Sequence, residues 1–130
     1  MAKILIVEDE IHIQRLTRIV LEKGGHVVQV ASNGEEALKL CEPKDCKFDL
    51  VLLDIMMPGI DGLQVLRTLK QMPHVAKTPV VMLTAIAQEA VVIKGIQLGA
   101  KDYIRKPFHP TDLLDRINRH LEPAPKSAAS

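Results

Sequence analysis

Residues 48–54 read Phe-Asp-Leu-Val-Leu-Leu-Asp, an apolar run that ends in the carboxylate of Asp54. The run is short, and the turn-forming residues Met57-Pro58-Gly59 follow it closely, which is typical of a strand buried on both faces of a sheet. A carboxylate at the end of such a strand lies at the rim of the sheet, where its oxygens can bind a ligand. Residues 48–54 therefore predict a buried strand with a candidate functional side chain at its carboxyl end.

Four further apolar runs alternate with amphipathic segments of helical period. The predicted strands cover residues 3–7, 27–31, 49–53, 79–83 and 102–105. The helix signals between them are the stop at Gly24-Gly25, the capping-box spacing of Ser32 to Glu35, the cap Asp61, the amphipathic run Gln88 to Leu98, and Pro110 in the first turn of the last helix. Five βα units in series predict an α/β fold, a doubly wound five-stranded parallel sheet with helices on both faces.

Residues suited to chemistry also follow three of the other strands. Glu8-Asp9 comes after the first strand, Thr84 after the fourth, and Lys106 at the end of the fifth. In open parallel sheets, ligands bind beyond the carboxyl ends of the strands, so we expect these side chains to share one site with Asp54. An acidic pair, a third acid, a hydroxyl and a lysine describe a site that binds a divalent metal and accepts a phosphoryl group.

The acidic residues predict a magnesium site. Clustered carboxylates repel one another unless a cation lies among them, and Mg²⁺ prefers oxygen ligands. We assign Asp9 and Asp54 as direct ligands, Glu8 as a ligand acting through water, and the backbone carbonyl of Met56 as a further ligand.

Asp54 is also the candidate nucleophile, because carboxylates form acyl phosphates in several enzyme classes. Lys106 would neutralise the phosphoryl oxygens, and the Thr84 hydroxyl would donate a hydrogen bond to one of them. Each residue taken singly has a simpler interpretation, such as a helix cap or a solvated charge. Their joint placement at the ends of four strands favours the functional site.

Composition excludes several classes of function. The net charge is +1, and the aromatic residues are two Phe and one Tyr, so we expect no direct nucleic-acid binding by this domain. Cys41 and Cys46 lack the further ligands of a zinc site and are interpreted as two reduced structural thiols. A signal peptide and an apolar stretch of bilayer length are both missing, which predicts a cytoplasmic protein without a membrane partner.

The end of the chain differs from the rest in composition. Residues 122–130 read Glu-Pro-Ala-Pro-Lys-Ser-Ala-Ala-Ser, which is typical of a linker or a disordered tail. We therefore predict one domain over residues 1–121. Whether residues 122–130 are a natural end or the stub of a linker to an output domain is left open.

Over residues 3–121 the chain resembles the receiver domain of two-component response regulators. The segments that carry the likeness are Ile4-Leu5-Ile6-Val7-Glu8-Asp9-Glu10, Asp54-Ile55-Met56-Met57-Pro58-Gly59-Ile60-Asp61-Gly62, Leu83-Thr84-Ala85 and Gly99-Ala100-Lys101-Asp102-Tyr103-Ile104-Arg105-Lys106-Pro107-Phe108. The resemblance implies a flavodoxin-like strand order of 2-1-3-4-5. It also implies a cis bond between Lys106 and Pro107.

The same resemblance implies a function as a phosphorylation-activated switch rather than a metabolic enzyme. Asp54 would take its phosphoryl group from a sensor histidine kinase or a phosphotransfer protein, with Mg²⁺ bound at Glu8, Asp9 and Asp54. Thr84 would then move toward the phosphoryl group while Tyr103 turns inward. That shift would remodel the face of helix 4, strand 5 and helix 5, and so control an output protein or an output domain beyond residue 130.

Two departures from the family pattern affect finer predictions. Relatives that dimerise through the helix 4–strand 5–helix 5 face pair acidic with basic residues across it. Lys94, Asp102 and Arg116 fit that scheme, whereas Gln97 and Lys101 replace acidic residues, so a weak or phosphorylation-dependent homodimer is left open. Apolar groups flank the site at Met56 and Ile86, and we expect them to slow self-dephosphorylation.

Two other functions compete with the switch. One is a small-molecule phosphatase or phosphotransferase that forms an aspartyl phosphate, although Met56 stands where such phosphatases carry a second acid. The other is a flavin or nucleotide binder, which the absence of a Gly-rich loop after the first strand disfavours.

Overall fold

The structure is a computed structural model that describes residues 2–55, 61–85 and 89–121. Strands and helices alternate along these residues, as the five predicted βα units require. The strands are β1 (Lys3–Val7), β2 (Val27–Ala31), β3 (Leu50–Asp54), β4 (Val80–Ala85) and β5 (Asp102–Lys106). The helices are α1 (Ile11–Lys23), α2 (Gly34–Cys41), α3 (Gly62–Gln71), α4 (Glu89–Leu98) and α5 (Pro110–Leu121).

The five strands form one parallel sheet in the order β2-β1-β3-β4-β5, which confirms the predicted fold class and strand order. The chain runs outward from β1 to β2 and then crosses back to β3 on the other side of β1. This change of direction leaves a crevice between the carboxyl ends of β1 and β3, the position at which doubly wound sheets bind their ligands.

Helices cover both faces of the sheet, so the central strands are buried on both sides. Leu50 and Leu52 of β3 pack with residues of α1 and α5, whereas Val51 and Leu53 pack with residues of α2 and α3. This burial on two faces explains why the run that ends at Asp54 is continuously apolar rather than alternating. None of the helices in the described ranges has the length and apolar character needed to cross a membrane.

The ends of the elements agree with the sequence predictions in part. Asp61 caps α3 as predicted, with its side chain accepting a hydrogen bond from the amide of Gln64 (2.9 Å). The cap of α2 is Asn33 rather than Ser32, because Asn33 Oδ1 accepts the Glu36 amide at 2.8 Å. Strand β4 extends to Ala85, two residues beyond the predicted end.

Three other predictions concern the Lys106–Pro107 peptide bond, the start of α4 and the last residues of the chain. The peptide bond between Lys106 and Pro107 is cis, as the resemblance implied. The predicted fourth helix began at Gln88, which lies outside the described residues, and α4 is described from Glu89. The prediction of a tail or linker at residues 122–130 also falls outside them.

Gly62 allows α3 to start directly against the end of β3. A Cβ atom at this position would lie 2.5 Å from Ile55 Cα and 2.7 Å from the backbone oxygen of Asp54. We expect Gly62→Ala to destabilise the protein by about 2 kcal/mol, although alanine is the better helix former, because backbone atoms must move to accommodate the methyl group. Urea unfolding of the variant measures this loss.

Gly95→Ala is the matched control for this prediction. At Gly95 a Cβ atom would meet the sulfur and terminal methyl group of Met82, the far end of a flexible side chain that can move aside. We therefore expect a smaller loss of stability there. A Gly62→Ala variant as stable as the wild type would show that the start of α3 has room for a methyl group beside Ile55 and Asp54.

Candidate functional site

Three carboxylates meet at the crevice between β1 and β3. Glu8 and Asp9 follow the last residue of β1, and Asp54 is the last residue of β3. One carboxylate oxygen from each of the three lies within 4.8 Å of the others. Glu8 and Asp54 are almost completely buried, with 0% and 2% exposure, whereas Asp9 is exposed at the mouth of the crevice. The three acids that the sequence predicted as metal ligands are therefore adjacent in the structure.

Lys106 joins this cluster from the end of β5. Its Nζ atom lies 3.1 Å from Glu8 Oε1 and 3.2 Å from Asp54 Oδ2, with 23% of its side chain exposed. Burial lowers the pKa of Lys106, but the charges of Asp54 and Glu8 outweigh that effect and hold the pKa above its ordinary value. Lys106 is therefore a fixed ammonium group between two buried carboxylates.

Glu8 is held in an environment that favours its neutral form. Burial, followed by hydrogen bonding with Asp54, raises the pKa of Glu8 to about 7. The amide of Glu10 opposes this by donating to Glu8 Oε2 at 3.1 Å. Within the described ranges, Glu8 Oε1 accepts no well-aligned hydrogen bond, although Lys106 lies nearby. Lys106 alone therefore does not fully compensate the two buried carboxyl groups, Glu8 and Asp54.

This donor set suits a hard divalent cation. Three carboxylates within 4.8 Å of one another, with an incompletely satisfied buried oxygen among them, provide the oxygen ligands and the excess negative charge that Mg²⁺ requires. The predicted backbone ligand, Met56, lies outside the described residues, as does Ile86.

Thr84 and Tyr103 occupy the other face of the sheet from Lys106. Thr84 follows Val80 and Met82 in the alternation of β4, and Tyr103 packs against the core on that same α4-facing side. The buried hydroxyl of Thr84 donates to the carbonyl of Ala85 at 3.3 Å. Thr84 directly follows Leu83, the residue of β4 that pairs with Asp54 in the sheet. The backbone of Thr84 therefore lies beside the site.

Tyr103 is half-buried beside a small cleft. This cleft, of about 210 Å³, separates β5 from α4. Its lining residues are Ala85, Glu89, Val92, Ile93, Tyr103 and Arg105. The ring therefore has space beside it that a change of side-chain position can use.

Among the described residues, sequence reasoning missed Gln14, which touches the acidic cluster. Gln14, in the first turns of α1, donates from its side-chain amide to the backbone oxygen of Glu8 at 2.5 Å and to Ser32 Oγ at 3.3 Å. The sequence signal is weak, because a glutamine on a helix is usually interpreted as a solvated residue. Only the packing of α1 beside the turn after β2 reveals these contacts.

Two of the residues considered for dimerisation, Asp102 and Arg116, pair within one chain. Arg116 NH1 lies 3.3 Å from Asp102 Oδ1, and His120 Nε2 lies 3.0 Å from Asp102 Oδ2. Arg116 also forms a salt bridge with Asp112, whereas Lys94 is exposed on α4. Two of the three candidates for an intermolecular contact therefore already have partners in the monomer.

Sequence comparison agrees with this arrangement. The profile of the response regulator receiver domain matches residues 4–118. The transcriptional regulatory protein ResD of Bacillus subtilis is 40% identical over 126 residues, which are 97% of this chain and 50% of that protein. The alkaline phosphatase synthesis transcriptional regulatory protein PhoP of the same organism is 41% identical over 128 residues, 98% of this chain and 52% of PhoP. The chain thus spans about half the length of these curated relatives.

Solved structures give the same result. The receiver domain of NtrX from Brucella abortus superposes with a TM-score of 0.84 at 32% identity, covering 93% of this chain and 99% of that one. The chemotaxis response regulator CheY4 of Vibrio cholerae superposes with a TM-score of 0.85 at 31% identity, covering 92% and 98% of the two chains. These relatives favour a signalling domain over the small-molecule phosphatase. Since the profile, the relatives and the fold agree across nearly the whole chain, it belongs to the response regulator receiver domain family.

Proposed function

We propose that this receiver domain is switched by transfer of a phosphoryl group onto Asp54. The observation that carries the proposal is the position of Asp54 at the end of β3, with Lys106 Nζ 3.2 Å from its carboxylate and with Glu8 and Asp9 completing an acidic cluster. A nucleophilic carboxylate, a fixed cation and a set of oxygen ligands are the groups that phosphoryl transfer to a side chain requires.

Asp9 and Asp54 would hold Mg²⁺ directly, Glu8 would act through water, and the backbone carbonyl of Met56 remains a further proposed ligand. When bound, Mg²⁺ supplies positive charge to the transferred oxygens. The fit of three clustered carboxylates to a hard cation supports this assignment.

In the proposed step, a carboxylate oxygen of Asp54 attacks the phosphorus of a phosphohistidine on the donor protein. The phosphorus–nitrogen bond breaks, the histidine nitrogen leaves with the electron pair, and an acyl phosphate forms on Asp54. Lys106 is close enough to neutralise charge on the transferred group without a large movement. The hydroxyl of Thr84 would exchange its bond to Ala85 for one to a phosphoryl oxygen.

The phosphodonor would be a sensor histidine kinase or a phosphotransfer protein that docks beside α1. Ile11 and Ile19 are 53% and 52% exposed on this helix, and Leu16 is 39% exposed. Helix α1 begins two residues after Asp9, so a partner bound to this apolar face would also reach the mouth of the crevice. Because the apolar face of α1 adjoins the acidic crevice, it supports a protein phosphodonor as the partner.

The output would depend on Thr84 and Tyr103. Both lie on the α4-facing side of the sheet, and the cleft beside Tyr103 gives the ring space to change position. Movement of Thr84 toward a phosphorylated Asp54 would thereby reach the surface formed by α4, β5 and α5. That surface would control an output protein or domain, and we expect no direct nucleic-acid contact by this domain. A weak or phosphorylation-dependent homodimer that used Asp102 across this surface would exchange its pairs with Arg116 and His120 for pairs between the two chains.

Intact-protein mass spectrometry after incubation with acetyl phosphate tests the proposal. We expect a single phosphoryl adduct that needs Mg²⁺ and is lost in Asp54→Asn, because the amide cannot act as the nucleophile. Asp45→Asn, which removes a carboxylate from an exposed loop, is the matched control and should be phosphorylated like the wild type. An adduct that persists in Asp54→Asn, or a folded wild type that forms none, would contradict the proposal.

A further inference from the structure

We infer that Gln14 is a positioning residue that orients the backbone of the acidic turn for Mg²⁺ binding, a role that rests on the proposed function. Gln14 does not belong to the carboxylate cluster. It contacts the backbone oxygen of Glu8 through its side-chain amide, at a distance of 2.5 Å. The second contact of that amide, to Ser32 Oγ at 3.3 Å, ties the turn after β1 to the turn after β2.

The three-residue turn between β1 and α1 needs such an external support. Glu8 is anchored at its amide, which donates to the carbonyl of Ala31 at 3.0 Å. Its carboxylate is anchored by the Glu10 amide at 3.1 Å. The remaining backbone group of Glu8 is the carbonyl that Gln14 holds, and this carbonyl belongs to the peptide bond that joins Glu8 to Asp9.

The orientation of that peptide bond decides where Asp9 directs its carboxylate. Asp9 is exposed, so neighbouring side chains do not enclose it as they enclose Glu8 and Asp54. Control of its position must therefore come largely through the backbone. A hydrogen bond that fixes the Glu8–Asp9 peptide pre-organises the exposed ligand relative to the two buried ones, as outer partners of metal ligands do in general.

The test compares Mg²⁺ affinity with the maximal rate of phosphorylation. Gln14→Leu keeps the volume and the helix but removes both donated hydrogen bonds, and Gln14→Met does so with an unbranched chain. We expect the Mg²⁺ dissociation constant, measured by calorimetric titration, to rise about tenfold in both variants. The rate of adduct formation at saturating Mg²⁺ should stay within about twofold of the wild type, because Asp54 and Lys106 are unchanged. The midpoint of urea unfolding in EDTA should not move.

Gln97→Leu, the same substitution at an exposed position of α4, is the matched control and should leave the Mg²⁺ affinity as it is. The inference is overturned if both Gln14 variants bind Mg²⁺ as the wild type does. It is also overturned if their weaker binding comes with an equal loss of stability in EDTA, since Gln14 would then only support the fold. A wild type that binds no Mg²⁺ and forms no adduct would overturn the proposed function together with this inference. A wild type that does both, beside Gln14 variants with unchanged Mg²⁺ affinity, would overturn this inference alone.

Discussion

Lys106→Met is expected to slow phosphorylation of Asp54 by about a hundredfold at saturating Mg²⁺, the usual cost of removing one pre-organised charged donor from a transition state. The reason lies in the position of Lys106, whose Nζ atom contacts Asp54 at 3.2 Å and Glu8 at 3.1 Å. Methionine fills much of the same space but carries no charge. The initial rate of adduct formation, followed by mass spectrometry with acetyl phosphate, measures the effect.

Mg²⁺ binding distinguishes this role from general damage to the site. Removal of a positive charge about 3 Å from two candidate ligands should leave Mg²⁺ affinity unchanged or increase it, because like charges no longer repel. Phosphorylation should thus slow while metal binding is kept or strengthened. Weakened binding would instead indicate that Lys106 mainly supports the geometry of the acids.

Lys101→Met provides the control for this prediction. Lys101 directly precedes β5, whereas Lys106 ends it, so the two lysines lie at opposite ends of this strand. The control should phosphorylate at the rate of the wild type. If Lys106→Met also does so, within about threefold, Lys106 does not stabilise the transferred group.

The fold was predictable because its signals are local. Strand β3 is buried on both faces and therefore appears in the sequence as an unbroken apolar run, and β1 and β4 behave in the same way. The site was predictable for a related reason. In a parallel sheet the carboxyl ends of the strands share one edge, so Glu8, Asp54 and Lys106 could be placed together from strand ends alone.

Features that depend on contacts between elements were not predictable in this way. Ser32 and Asn33 are both good capping residues, and only the start of α2 decides that Asn33 is the cap. The pairing of Asp102 with Arg116 and His120 requires the packing of α5 on β5. Gln14 is the clearest case, since its partners Glu8 and Ser32 come from two separate turns.

The burial of Glu8 leads to the second large prediction, a pH dependence of stability in the metal-free protein. The folded protein holds the pKa of Glu8 at about 7, against an ordinary value of 4.5. The folded state therefore retains this proton at pH values where the unfolded chain has released it. The stability that comes from the bound proton is complete below about pH 4.5 and is lost as the pH rises through about 7.

Glu8→Gln isolates this contribution, because glutamine cannot titrate. Between pH 5 and pH 8 in EDTA, the free energy of unfolding of the wild type should fall by about 2–3 kcal/mol more than that of Glu8→Gln. Urea unfolding at the two pH values gives both numbers, and the difference between the proteins cancels the other titrating groups that they share. Glu35→Gln, at an exposed position of α2, is the control and should follow the wild type.

Mg²⁺ should reverse this loss in the wild type, since a cation among the three acids stabilises the ionised form of Glu8. At pH 8, saturating Mg²⁺ should raise the unfolding free energy of the wild type more than that of Glu8→Gln, which has one charge fewer to offset. Equal pH profiles of wild type and Glu8→Gln in EDTA would mean that Glu8 is already ionised in the folded protein near pH 5. Lys106 would then favour the ionised form of Glu8 strongly enough to outweigh the effect of burial.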